Sequence, residues 1–300
     1  MIRPVDAIVE FLKAQEAEGV KSVYLDESAR ELLRQLHRQN AKPRKTPDAP
    51  AKAAPAPPRE NPASRFAPSP SPVPAAARPT ATPAPDLIVP DSGTAAEKIA
   101  ALKAQAKGWP PAVALKSLRE TMVFSCGNPE ADLMLIGEAP GYEEEKLGEP
   151  FVGPAGQKLT EILRAMRLDR KDVYISNIVK FRPATPRQTT NNRKPTPAEM
   201  ASCLPFIRAE VAIVRPKCII ALGGTACEGL LGLQGPVGSM RGSWHDFAGI
   251  PVRVTYHPAY LLHGQAALTD KRMIWEDMLA VMEKLGMPID DKQRQFFLPK

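Results

Sequence analysis

The stretch LMLIGEAPGYEEEKLGEPFVG, residues 133–153, is the most informative segment of this 300-residue chain. Its first four apolar residues predict a buried strand, and the Gly-Glu-Ala-Pro-Gly segment that follows ends the strand abruptly. Three glutamates come after that turn, and an aromatic residue, Phe151, returns soon afterwards. A turn that only reverses the chain needs no carboxylate between glycines, so the stretch indicates a binding site at the end of a strand.

Three further apolar runs lie downstream of this strand, and helical patterns separate them. The runs are VYISNIV (173–179), KCIIALG (217–223) and VRVTYHP (252–258). The helical stretches are AGQKLTEILRAM (155–166), PAEMASCLPFIRAEVAIV (197–214), GTACEGLLG (224–232) and KRMIWEDMLAVMEKLG (271–286). Strands that are apolar throughout, with helices between them, are typical of a parallel sheet covered on both faces. The sequence therefore predicts an α/β fold: a three-layer α/β/α sandwich around a central, mainly parallel four-stranded sheet.

The composition divides the chain into three parts. Residues 1–41 predict two short amphipathic helices, a helical arm with too little core to be stable alone, which we expect to recruit a protein partner. Residues 42–91 hold 15 of the 33 prolines, mixed with Ala, Ser and Thr, which is typical of a disordered linker. Residues 92–300 are predicted to form the folded catalytic domain.

The charge and cysteine patterns limit the classes of function. A net charge of +7 is compatible with a polyanionic partner such as DNA but does not require one. The four cysteines include no CxxC pair, so neither a disulfide framework nor a zinc site is indicated. The sequence shows no apolar run of membrane-spanning length and no signal-peptide pattern. We expect a cytoplasmic monomer that does not contact membranes.

Three of the four predicted strands end in distinctive polar residues: Glu138, Asn177 and His257. The carboxyl ends of parallel strands meet at one edge of a sheet, where ligands bind. Each residue also has a structural interpretation, because Asn177 could bond a loop backbone, and Glu138 or His257 could cap a helix or turn. Phe151 could simply belong to the core. Taken together, an aromatic face, an amide edge and an anion stabiliser predict a pocket for a flipped nucleobase.

Five motifs resemble those of the family 4 uracil-DNA glycosylases, between about Arg119 and Met282. They are GEAPGYEEEKLGEPFVGPAGQKL, YISNIVKFRP, NNRKPTPAE, PKCIIALGGTA and HPAYLL. The resemblance implies a monofunctional DNA glycosylase of the bacterial cytosol or nucleoid, which flips uracil out of DNA and hydrolyses its N-glycosidic bond to begin base excision repair. Two other interpretations remain open: excision of another deaminated base, such as hypoxanthine or xanthine, and a catalytically silent DNA-binding or scaffold protein.

The resemblance also implies roles for individual residues. Glu138 and the backbone of Ala139 would form the pocket floor and place a water near the sugar, with Glu144 or Glu145 as alternative bases. Phe151 would stack on the flipped uracil, and Asn177 would read its edge, because an amide can meet an N3–H donor and an O4 acceptor together.

His257 would hydrogen-bond O2 of the leaving uracil anion, and Leu261 would enter the DNA stack as a wedge. Gly141 lies where other uracil glycosylases carry a tyrosine against the methyl group of thymine, so that methyl group must be excluded by other means. Four basic residues are expected to contact DNA phosphates: Arg182, Arg187, Arg193 and Lys194.

Members of family 4 hold a 4Fe–4S cluster on four cysteines, and here the resemblance breaks down. Pro110, Val113 and Phe181 occupy three of the four ligand positions, and Cys203 is the only match that remains. One thiolate cannot hold such a cluster. We therefore expect no metal and no cofactor, with an apolar plug of Phe181 and Val113 in place of the cluster.

Overall fold

The computed structural model describes residues 87–262 and 268–298. All of them belong to one unit, Ala76–Lys300. The predicted helical arm 1–41 and the predicted linker up to residue 86 lie outside the described residues. Leu87 packs against the core, and the backbone N–H of Ile88 donates to the side chain of Gln105 at 2.9 Å. Leu87 and Ile88 thus contact the folded domain, and the predicted boundary at residue 92 stays a prediction.

Helices and strands alternate along most of this domain. The helices are α1 (Ala95–Ala106), α2 (Pro110–Ala114), α3 (Tyr142–Leu147), α4 (Pro154–Ala165), α5 (Pro197–Val214), α6 (Gly224–Leu231), α7 (Val237–Met240), α8 (Leu268–Lys284) and α9 (Asp291–Gln295). The strands are β1 (Leu118–Met122), β2 (Ser125–Gly127), β3 (Leu133–Gly137), β4 (Tyr174–Asn177), β5 (Phe181–Pro183), β6 (Cys218–Leu222), β7 (Trp244–Phe247) and β8 (Ile250–Thr255). Two short 3₁₀ turns span Arg170–Asp172 and Pro258–Leu262.

The central sheet has six strands in the order β2-β4-β3-β6-β8-β7. Its four inner strands are parallel and are the four apolar runs predicted from the sequence, so the predicted parallel core is confirmed. Antiparallel strands β2 and β7 are added at the two edges, and β1 pairs with β5 in a separate two-stranded sheet. The sequence did not reveal the edge strands, because β2 has three residues and β7 carries polar side chains.

Successive side chains of the inner strands enter two different cores. In β3, Leu133 and Leu135 pack with α4 and α8 on one face of the sheet, whereas Met134 and Ile136 pack with α1, α5 and α6 on the other. All five residues of β3 are buried, as expected for a strand covered by helices on both sides. Two packed faces fix the register of the strands and therefore the positions of the residues at their ends.

A buried ion pair stabilises the end of β4 from the α5 side. The ammonium of Lys180 lies 2.6 Å from a carboxylate oxygen of Glu210 in α5, and both side chains are fully buried. The ammonium also donates to Ser176 at 2.6 Å, and the hydroxyl of Tyr174 donates to the same carboxylate at 3.0 Å. Removing one partner would leave a buried charge uncompensated, which is strongly unfavourable. The network holds the strand that carries Asn177.

Candidate active site

The residues predicted at the strand ends meet at one edge of the sheet. Gly137 ends β3 and pairs in register with Asn177 at the end of β4. Glu138 follows Gly137 directly, and His257 follows β8 by two residues. Because all four inner strands run parallel, these residues lie at the same edge, as the sequence predicted.

Phe151 and Asn177 cover Gly137 so closely that no side chain fits there. A Cβ built on Gly137 would lie 2.4 Å from Cζ of Phe151 and 2.5 Å from Oδ1 of Asn177. Real Cβ atoms essentially never approach other atoms so closely. Gly137 therefore provides the space in which an aromatic ring and an amide meet.

The backbone of Phe151 is held in an unusual conformation. Its φ is +57°, in the left-handed region that non-glycine residues seldom adopt. Arg170 donates to the carbonyl oxygens of Phe151 at 3.0 Å and Pro150 at 2.8 Å. Gly156 leaves room for the turn, since a Cβ there would lie 1.7 Å from the Phe151 oxygen. Arg170 and Gly156 thus orient the ring, and neither role was evident from the sequence.

The amide oxygen of Asn177 has an unsatisfied hydrogen-bonding capacity. The residue is 2% exposed, and its Oδ1 is buried without a hydrogen-bond partner among the described residues. Buried polar atoms are nearly always bonded, because an unpaired one costs about 1–3 kcal/mol. An orphaned acceptor against the ring of Phe151 is suited to a planar ligand that donates an N–H.

His257 is arranged as a neutral hydrogen-bond donor. Its Nδ1 accepts the backbone N–H of Ala259 at 3.2 Å, so the proton of the neutral imidazole is on Nε2. Desolvation lowers the pKa of His257 to about 4, although the nearby carboxylate of Glu144 acts in the opposite direction. The imidazole and the ring of Phe151 lie with centroids 5.6 Å apart. A ligand in contact with Phe151 would therefore lie near a neutral N–H.

Glu138 is held by a residue that the sequence analysis did not single out. Its Oε2 accepts the hydroxyl of Thr225, at the start of α6, at 2.5 Å. Burial raises the pKa of this carboxyl above its ordinary value, while the Thr225 hydrogen bond and the charge of Lys194 lower it. A carboxyl with a raised pKa is suited to accept a proton from water.

The other acidic residues of the turn form bonds that hold the backbone. Glu144 accepts the N–H of Gly141 at 3.1 Å with one oxygen and that of Gly153 at 2.9 Å with the other. It thereby ties the turn after β3 to the segment that carries Phe151. Glu145 pairs with Arg182 and Arg119, each at 3.0 Å. These bonds favour a structural role for Glu144 and Glu145 over the alternative of activating water.

Two of the four predicted phosphate contacts need correction. Arg182 is 2% exposed, and its guanidinium donates to Glu145, to Asn192 and to two backbone carbonyls. Arg193 pairs with both oxygens of Glu199, at 2.8 and 2.6 Å, and donates to the carbonyl of Ser117. Their donors are used within the protein, so neither is available to a phosphate.

The remaining predicted DNA contacts lie at the surface near the site. Arg187 is exposed, and Lys194 is exposed but forms an ion pair with Glu228 at 2.6 Å. Leu261 is partly buried in the 3₁₀ turn that follows His257, so its role as a wedge stays a prediction.

Gly141 is covered by a residue that the sequence analysis missed. A Cβ on Gly141 would lie 2.7 Å from Oε2 of Glu144 and 3.1 Å from Nδ2 of Asn192. The Oδ1 of Asn192 accepts from Arg182 at 2.9 Å, which fixes its side chain there. The motif NNRKPTPAE contains this asparagine, so its position in that motif was the available signal.

The residues present do not fit an iron–sulfur cluster. Among the described residues, no group of three or more His, Cys, Asp or Glu side chains could hold a metal ion. The four cysteines are free, and burial raises the pKa of the Cys203 thiol. Phe181 is buried as expected, but Val113 is 60% exposed, so the predicted plug of both residues is wrong for Val113. Val113 and Phe181 instead line a surface cavity of about 580 Å³.

Comparison with known proteins agrees with this geometry. Residues 124–279 match the model of the uracil DNA glycosylase superfamily. A type-4 uracil-DNA glycosylase of Thermotoga maritima is 41% identical over 162 residues, which is 53% of this chain and 81% of the relative. Similar enzymes are those of Pyrobaculum aerophilum, 39% identical over 51% of this chain and 79% of the relative, and Archaeoglobus fulgidus, 33% identical over 61% and 89%. No helix in the described ranges has both the length and the apolar character needed to cross a membrane.

Proposed function

Because this chain belongs to the uracil DNA glycosylase superfamily, we propose that it flips uracil out of DNA and hydrolyses the bond between the base and its sugar. It is a uracil-DNA glycosylase, a hydrolase of DNA repair, and uracil-containing DNA is its substrate. The observation that carries the assignment of the base pocket is the orphaned Oδ1 of Asn177 beside the ring of Phe151.

The pocket reads the base by donor and acceptor matching. The Oδ1 of Asn177 accepts the N3–H of uracil, while the amide nitrogen of the same side chain donates to O4. Cytosine presents an acceptor at N3 and a donor at N4, so both ends of the amide would face the wrong partner. Phe151 stacks on the base and excludes water, which makes each mismatch more costly.

The bond is broken by stabilising the departing base. Uracil leaves with the bonding electron pair, and the Nε2–H of His257 donates to O2, where negative charge develops. The sugar becomes an oxocarbenium-like cation, to which water adds at C1′. Glu138 takes the proton of that water, and its raised pKa matches this task. Because the neutral imidazole of His257 already carries a proton on Nε2, it can donate this hydrogen bond without first taking up a proton.

The parts of the chain outside the site complete the proposal. The domain of residues 92–300 carries the activity as a monomer in the bacterial cytoplasm. Residues 1–41 recruit a protein partner and are joined to this domain by the linker of residues 42–91. Arg187 and Lys194 bind phosphates, which requires Lys194 to exchange its carboxylate partner for DNA.

Replacing Asn177 with aspartate tests the reading of the base. We expect uracil excision to fall by about 10- to 100-fold, because a carboxylate offers O4 no donor, and cytosine to be accepted weakly. Excision is measured on single- and double-stranded oligonucleotides that contain uracil, cytosine, thymine, hypoxanthine or xanthine.

The matched control for this variant is Asn128→Asp. Asn128 lies in a turn after β2, where its side-chain oxygen accepts the N–H of Glu130 at 2.9 Å, which a carboxylate also does. Full uracil activity in Asn177→Asp would show that Asn177 has a structural role. Activity of the unaltered protein on hypoxanthine but not on uracil would replace the proposed base.

The purified protein is expected to be colourless, with less than one iron per chain. A cluster needs four thiolates, and Pro110, Val113 and Phe181 stand where the family carries three of them. Phe181→Cys should not restore a cluster, because two ligands would still be missing. Since Phe181 is buried, the same change should lower the free energy of unfolding by roughly 2–4 kcal/mol. A brown preparation with four irons per chain would overturn this proposal.

A further inference from the structure

Two tyrosines form a stacked pair beside the proposed catalytic histidine. The rings of Tyr256 and Tyr260 lie with centroids 4.7 Å apart and planes inclined by 13°, so they are nearly parallel. Tyr256 covers one face of the Tyr260 ring, while 42% of Tyr260 is exposed. The face directed away from Tyr256 is therefore what the pair offers to a ligand.

Contacts with Arg241 and His257 hold the tyrosine pair in place. The guanidinium of Arg241 lies 5.9 Å from the ring of Tyr256, within the range of a cation–π contact. Arg241 is fixed in turn by Asp277, at 2.9 Å. The backbone N–H of Tyr260 donates to the carbonyl of His257 at 2.9 Å, which sets the position of Tyr260 relative to the histidine. A rigid aromatic surface loses little conformational entropy when it binds a ligand.

The stacked pair lies on the other side of the β8 end from the uracil pocket. Tyr256 and His257 are sequence neighbours directly after β8, yet their side chains contact different parts of the fold. The hydroxyl of Tyr256 lies toward α7, where a Cβ on Gly238 would be 3.2 Å from it. His257 instead faces Phe151. The tyrosine pair and the pocket therefore adjoin at the end of β8, because Tyr256 precedes His257 and Tyr260 is bonded to its backbone.

The chemistry around Tyr260 suits a base better than a phosphate. Its hydroxyl donates to a carboxylate oxygen of Asp270 at 3.4 Å, so this donor is used within the protein and is not offered to a phosphate. Exposed aromatic rings bind unpaired bases by stacking, with little dependence on which base is present. We propose that the Tyr256–Tyr260 pair is a subsite for the unpaired nucleobase directly next to the uracil in the same strand. The proposal rests on the proposed uracil excision.

The test couples the tyrosine to the neighbouring base. Single-stranded oligonucleotides carry a non-hydrolysable uracil nucleotide, and the base on its 5′ side or on its 3′ side is either present or replaced by an abasic residue. Dissociation constants are measured for the unaltered protein and for Tyr260→Ala, Tyr260→Leu and Tyr260→Phe. Leu262→Ala is the control, because Leu262 lies in the same turn and is similarly exposed, at 41%.

Removing the neighbouring base on one of the two sides should weaken binding by the unaltered protein about tenfold. The same removal should have little effect on Tyr260→Ala and Tyr260→Leu, whereas Tyr260→Phe and Leu262→Ala should behave like the unaltered protein. An effect of the neighbouring base that persists in Tyr260→Ala, or is absent on both sides in the unaltered protein, would overturn the proposal. Excision of ordinary uracil is measured in parallel, so failure of the proposed activity would be seen separately.

Discussion

Replacing Gly137 with alanine is expected to reduce uracil excision by about 10² or more. The new Cβ would lie 2.4 Å from the ring of Phe151 and 2.5 Å from Oδ1 of Asn177, so both groups would have to move. Displacing a positioning group by about 1 Å is enough to cause losses of this size. The expected change is mainly in kcat/KM in single-turnover assays, because the stacking ring and the base-reading amide are displaced together.

The matched control is Gly224→Ala, at the turn after the neighbouring strand β6. A Cβ there meets only a side-chain carbon of Val237, at an ordinary contact distance of 3.7 Å. This variant should therefore retain its activity. Thermal unfolding of both variants shows whether Gly137→Ala is folded. A folded Gly137→Ala protein with full activity would mean that Phe151 and Asn177 do not bind the base in the observed arrangement.

Replacing His257 with alanine is expected to lower turnover by on the order of 10² or more, through loss of the hydrogen bond to the leaving base. The binding of substrate should change much less, because Phe151 and Asn177 remain in place. The control is His245→Ala, since His245 lies on the edge strand β7, where its ring contacts the carbonyl of Met240. An effect of His257→Ala confined to substrate affinity would remove His257 from the role of anion stabiliser.

The pH dependence of turnover gives a second test of the histidine. The pKa of His257 is lowered to about 4, so the imidazole is neutral throughout the range from pH 5 to 8. A plot of turnover against pH should therefore show no step near pH 6.5 that depends on His257. An acidic limb, if present, belongs to Glu138, whose raised pKa places its protonation above that of an ordinary glutamate. Glu138→Gln should abolish that limb, and persistence of the limb would point to another base.

The parallel core of the fold followed from the sequence because β3 and β6 are apolar along their whole length and β4 and β8 lie in largely apolar runs. Residues such as those of LMLIG contact helices on both faces, which leaves a continuous hydrophobic pattern. The edge strands have one solvated side. In β7, exposed and partly buried residues alternate, and its polar side chains are like those of a loop. Their pairing depends on partners distant in the chain, which a local pattern does not encode.

The strand-end residues of the site could be predicted for a similar reason. Parallel topology brings Asn177 and His257 to the same edge, whatever their separation in the sequence. The bonding partners of the basic residues could not be predicted from the sequence. Arg182 in KFRP resembles a phosphate contact until its partners are known. Three-dimensional packing gives its guanidinium to Glu145 and Asn192 instead. Thr225 contacts Glu138, which lies 87 residues away along the chain, and Arg170 contacts Phe151, which lies 19 residues away.

The two hydrogen bonds that Glu144 accepts link positions 141 and 153. Its carboxylate accepts from Gly141 and Gly153 at once and occupies the place where a side chain on residue 141 would begin. A side chain at position 141 would require the carboxylate of Glu144 to move, and that movement would loosen its bond to the segment that carries Phe151. Position 141 and the anchoring of the stacking ring are therefore linked through one carboxylate.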